Sequence, residues 1–151
     1  VNYAAQLCHA VQYLHNARYL HRHLCPRNIM VTADGVVKLI DFGLTLPYTP
    51  DYTQPGNRTG TVEYMAPEII KRMATDHRVD LFALGVTAYE MSTGQMPWER
   101  ALSSEENLRR RLNHPARGAK ELKPDLGDDL AELLMKSVER VDCRMFSSAA
   151  K

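Results

Sequence analysis

The sequence predicts a mainly α-helical domain carrying one small β-hairpin, and three observations lead to that class. Ala4, Leu7, Cys8, Val11 and Leu14 recur at helical spacing, which predicts an amphipathic helix from residue 1 to about 16. The run opened by Val79-Asp80-Leu81-Phe82-Ala83-Leu84-Gly85-Val86 is apolar almost all round, as a buried core helix should be. Ile29-Met30-Val31 and Val36-Val37-Lys38-Leu39-Ile40 flank Asp34-Gly35, a strong tight-turn signal.

The elements follow in chain order. His9 and His15 fall on or beside the first helix and read as surface or packed histidines. Tyr19-Leu20 is a short extended piece leading into the polar loop His21–Asn28. A hairpin as short as residues 29–40 brings its two ends together, so Asn28 and Asp41 arrive at one place. Two hard oxygen donors converging there suit Mg²⁺. Residues 44–65 form a long polar loop rich in Thr, Pro, Gly and Tyr, and a loop of that length inside a domain is usually functional. The core helix runs to about Thr93 and ends at Gly94. Asp80 is an acid in an otherwise apolar run, and a buried carboxylate must find donors. Trp98 reads as a core anchor. Ser103-x-x-Glu106 is a capping box for a helix through about Leu112. Arg109, Arg110 and Arg111 on that helix read as a solvated face, with a docking surface as the alternative. After Pro115 and Gly118, Asp128-Asp129 starts a helix with Leu130, Leu133, Leu134 and Val138 as its inner face and acids at its positive end.

Composition narrows the function classes. With 151 residues, 44% hydrophobic, the chain is one domain able to bury a core. A net charge of +1 gives no case for nucleic acid or a membrane surface. No apolar run approaches the ~20 residues of a membrane span, and no signal peptide is present. Cys8, Cys25 and Cys143 are odd in number and lack a C-x-x-C spacing, which points to a reducing cytoplasm rather than a disulfide framework. His21-x-His23-x-Cys25 permits a zinc reading, but a structural site wants four ligands and no second pair lies at a recognised spacing. Helix periodicity already at Val1 and a helix-forming end at Lys151 read as a fragment.

His21-Arg22-His23-Leu24-Cys25-Pro26-Arg27-Asn28, then Asp41-Phe42-Gly43, then Ala66-Pro67-Glu68, resemble the H-R-D-L-x-x-x-N, D-F-G and A-P-E motifs of protein kinases in order and spacing. The resemblance covers residues 1–151 as a partial domain: the carboxyl-terminal lobe, from the helix supporting the catalytic loop to the start of the last helix, without the amino-terminal lobe. It implies a protein-kinase-like fold, ATP-dependent phosphoryl transfer to protein Ser/Thr, and ATP and Mg²⁺ held at Asn28 and Asp41. It implies that His21 packs on Phe42 beside Gly43, and that Asp80 accepts bonds from the loop backbone. Arg22 would reach a phosphate on the activation segment, or alternatively pair with a local carboxylate. Thr49, Thr53 and Thr59 are candidate phosphorylation sites, Thr59 lying nearest the usual place. Glu68 and Arg144 would form a buried ion pair. The implied partners are a protein substrate or docking partner and the missing amino-terminal lobe.

The departures matter as much. His23 stands at the catalytic Asp position and Cys25 at the catalytic Lys position. Gly60-Thr61 looks like the Ser/Thr-type substrate loop, but the Asp and Lys that Thr61's counterpart bonds are both absent. No G-x-G-x-x-G occurs anywhere, so the chain alone does not build an ATP cleft. The resemblance therefore implies an impaired kinase or a pseudokinase, more similar to bacterial than to animal Ser/Thr kinases. Two alternatives stay open: a scaffold that binds protein through the activation-segment face and Arg109–Arg111, and a weak kinase using His23 as base.

Overall fold

The computed structural model describes residues 3–56 and 58–139. Its axis is α4 (Arg78–Thr93), on which Val79, Phe82, Ala83, Val86 and Tyr89 are buried. The helix ends at Gly94, whose φ of 74° is left-handed and whose N–H caps the Glu90 carbonyl. α7 (Asp128–Val138) crosses α4 where Gly85 leaves room: a Cβ there would meet Ser137 Oγ at 2.6 Å.

The inner face of α7 differs from the expected one. Leu134 and Val138 are buried, joined by Ala131, whereas Leu130 and Leu133 are 42% and 63% exposed. The four apolar positions span a wider arc than α4 can cover, so contact falls on the 131/134/138 stripe.

α1 (Tyr3–Asn16) buries Leu7 and Val11 and holds the hairpin. That hairpin is β2 (Ile29–Val31) against β3 (Val37–Leu39), antiparallel, with Ile29 opposite Leu39. Gln6 of α1 clamps it, accepting from the Val37 N–H at 2.9 Å and donating to the Gly35 carbonyl at 3.0 Å. In a second two-stranded pairing, β1 (Tyr19–Leu20), the expected extended piece, meets β4 (Leu46–Pro47), which lies inside what the sequence presents as loop. Strands of two residues are too short to leave a periodic signal. The same stretch contains α2 (Pro50–Thr53) and a 3₁₀ turn at Val62–Tyr64.

α3 (Pro67–Ile70), α5 (Ser104–Asn113) and α6 (Ala119–Leu122) complete the helical body. Ser103 caps α5 by accepting from the Glu106 N–H, while the Glu106 carboxylate lies beside Arg109 and Arg110. Arg111 corrects the solvated-face reading of this helix: it is 3% exposed, stacked on the rings of Phe82 and Trp98. Trp98 is in the core, its indole N–H donated to the His114 carbonyl. No helix among the described residues is long and apolar enough to cross a membrane.

Candidate functional site

The site is a loop hung from one buried carboxylate. Asp80 is fully buried at the start of α4. Its Oδ2 accepts the His21 N–H and faces His15 Nε2, both at 2.8 Å, and its Oδ1 accepts the Arg22 N–H at 2.7 Å. These bonds fix Arg22 at φ 65°, a left-handed backbone that costs a non-glycine residue about 1–3 kcal/mol. His21 is fully buried and meets Phe42 edge-on at 5.1 Å between ring centres. Burial lowers the His21 pKa, with Asp80 opposing, so the ring is held toward its neutral form.

The hairpin then closes the site. The Ile40 N–H donates to the Asn28 carbonyl at 2.9 Å, bringing Asn28 and Asp41 together. The Asn28 side-chain amide donates to the His23 carbonyl at 2.8 Å, which leaves its Oδ1 as the atom free to serve a ligand. Asp41, at φ 60° and with its side chain 47% exposed, bonds the Gly43 N–H through Oδ1.

His23 sits in the middle. Its Nδ1 is 3.3 Å from Asp41 Oδ2, and its Nε2 is 3.0 Å from Thr61 Oγ1. A nitrogen facing a carboxylate carries the proton, so in the neutral ring Nε2 is the acceptor and Thr61 donates its hydroxyl hydrogen. Thr61 Oγ1 in turn accepts from Arg27 Nη2 at 3.3 Å. The threonine expected to lack both partners thus finds two others in the same loop. Arg22 Nη2 donates to Thr59 Oγ1 at 3.1 Å, so among the described residues its recorded side-chain partner is a hydroxyl rather than a carboxylate.

Cys25 does not face the site: it is 1% exposed within the hydrophobic core. Its burial also removes the zinc reading, and no three His, Cys, Asp or Glu side chains gather as a metal cluster among the described residues. Burial raises the Glu68 carboxyl pKa, while Arg144, its expected partner, lies outside the described residues. The roles of two arginines at or near the site did not emerge from the sequence. Arg27 was visible as a cation two residues past Cys25, and Arg111 shares the inward stripe of Leu108 at i, i+3.

Comparison with known proteins places this arrangement. Residues 1–144 match the family model for the protein kinase domain. The chain is similar to an Aurora kinase of Candida glabrata, 36% identical over 125 residues, covering 81% of this chain and 35% of that protein. It is also similar to the serine/threonine-protein kinase TIO of Arabidopsis thaliana, 43% identical over 95 residues, covering 63% of this chain and 7% of that protein. An Aurora kinase of Saccharomyces cerevisiae is 36% identical over 98 residues, covering 65% of this chain and 26% of that protein. The chain thus spans about a third or less of the length of these relatives. A match over nearly the whole chain, with the loop geometry above, means that it belongs to the protein kinase domain family.

Proposed function

We propose that residues 1–151 are the carboxyl-terminal lobe of a Ser/Thr-type protein kinase domain whose phosphoryl transfer is severely impaired. One observation carries this reading: both nitrogens of the His23 ring are engaged, by Asp41 and by Thr61, at the position where the family has a carboxylate, which keeps a second oxygen to spare when a threonine bonds the first. A neutral histidine can take a proton, but here its lone pair is occupied until Thr61 lets go. A positioned base contributes about 10²–10⁴ in rate, or roughly 3–5 kcal/mol of barrier. Buried Cys25 offers no cation to the transferring group.

Asn28 and Asp41 fit a hard divalent cation, since they bring an amide oxygen and a half-exposed carboxylate to one edge. Mg²⁺ bound there would neutralise nucleotide phosphates. The hairpin presents an apolar, open rim from Phe42, 52% exposed beside Asp41, and Met30, 56% exposed, to Val31 and Val36 at its turn end, 45% and 42% exposed. That rim supports a second lobe, from the rest of a longer chain or from a partner, as the cover that completes an ATP cleft. The protein substrate, the cytoplasmic location and the activation-segment role of Arg22, Thr59 and Thr61 belong to the same reading. Its bacterial-type part rests on the short helix layout and the Gly60-Thr61 loop alone; the three relatives named above come from yeasts and a plant.

A weakly active kinase is the second reading, and Arg27 favours it. Its guanidinium at Thr61 places a cation beside His23, and Asp41 orients the ring. The test is phosphotransfer by this chain joined to an amino-terminal kinase lobe, before and after His23→Asp with Cys25→Lys. Activity appearing only after repair is expected. Activity before repair would favour His23 as base, and no gain despite nucleotide binding would favour a protein-binding scaffold.

A further inference from the structure

Arg111 is a charged side chain in the core, and nothing in the site reading uses it. It is 3% exposed, with its guanidinium carbon 5.2 Å from the Phe82 ring centre and 5.0 Å from that of Trp98. Burial lowers its pKa to about 10, with Glu63 opposing, so it stays cationic near neutral pH. Nη1 donates to the Val62 carbonyl at 2.6 Å, whereas Nε and Nη2 have no hydrogen-bond partner among the described residues. Buried donors left without a partner are costly, so an apolar side chain would fill the place at lower cost if packing were the whole role of Arg111.

The bond that Arg111 does make is directed. Val62 follows Thr61 and opens the turn in which the Tyr64 N–H bonds the Thr61 carbonyl and the Met65 N–H bonds the Val62 carbonyl. Thr61 is the residue whose hydroxyl meets His23. α5 is thus tied through one guanidinium to the backbone beside the residue that fixes the His23 ring.

We propose that Arg111 is a positioning residue: it sets the Thr61–Val62 backbone from α5 and, through the Thr61 hydroxyl, the orientation of the His23 ring. The mechanism is geometric. The ring pair allows the planar fork little freedom, and the charge-assisted bond to a single carbonyl fixes the turn along its length. The inference rests on His23 and Thr61 being the site proposed above.

The test is made by NMR on the full chain without metal or nucleotide, comparing the parent with Arg111→Met and Leu134→Ala. Met keeps much of the volume and removes the donors. Leu134→Ala destabilises the core away from the site. In Arg111→Met, the Tyr64 and Met65 amides should exchange ~10-fold faster relative to global unfolding. The His23 ring nitrogen signals should move toward those of a ring free of Thr61. Leu134→Ala should leave the His23 signals in place. Unchanged His23 signals and unchanged relative exchange in Arg111→Met would overturn the inference. If Arg111→Met does not fold, Arg111→Lys carries the test. A smaller His23 displacement in the same direction is then expected, and none would overturn it. Mn²⁺ titration of the same samples separates the two readings. Metal bound at Asn28 and Asp41 with no Arg111 effect removes only this inference, whereas no bound metal removes the kinase-site reading on its own.

Discussion

Two carboxylates, Asp80 and Asp41, stand at the two ends of one loop and do opposite things. Asp80 is fully buried and meets the His21 and Arg22 amides and the His15 ring. The Asp41 side chain is 47% exposed and, among the described residues, meets the Gly43 amide and His23. The first has its capacity taken up inside the protein, so it is scaffold. The second keeps solvent access, and in the proposed function it is the one left for chemistry. Burial with matched donors, and not acidity as such, separates a structural acid from a reactive one.

Asp80→Ala is the most severe way to test that division. It strands two buried amides and removes the support for the left-handed Arg22, and should cost about 3–5 kcal/mol by urea denaturation. Asp41→Ala should change stability by under about 1 kcal/mol. Equal losses in the two would erase the contrast.

The same inside-versus-rim division applies to α7. Leu134→Ala should cost about 2–5 kcal/mol, since Leu134 is 2% exposed. Leu133→Ala, at 63% exposure, should stay within about 0.5 kcal/mol. A large loss at Leu133 would mean that this face is covered in solution.

A smaller effect concerns pH at the buried end. Burial depresses the His21 pKa below its ordinary 6.5. Stability from this group is therefore fully present above that value and is lost as pH falls through the lower folded value. The urea midpoint should drop between pH 7.5 and 5.5, and drop less in His21→Phe. Parallel slopes would remove His21 as a cause.

Much of this was legible in the sequence, and for physical reasons. The hairpin around Asp34-Gly35, the Asp80 helix and the Ser103 cap each carry local chemistry that fixes their conformation. The meeting of Asn28 with Asp41 follows from hairpin closure alone. What stayed hidden depends on contacts between distant segments. β1 with β4 is too short for periodicity, and Leu130 and Leu133 look like core until the width of the α4 groove is known. Arg111 sits in a run of three arginines, and only the rings of Phe82 and Trp98 distinguish it. Thr61's two new partners, His23 and Arg27, depend on how residues 59–62 fold back on the loop.

The most direct measurement is Mn²⁺ titration of the full chain, read as paramagnetic broadening of amide and side-chain signals, in the parent and in Asp41→Asn. Broadening centred on Asn28 and Asp41–Gly43, absent around the buried ring of Tyr89 and lost in Asp41→Asn, is the expected result. Broadening spread over surface acids, or unchanged by Asp41→Asn, would mean that this loop edge holds no cation and that the kinase-site account is wrong.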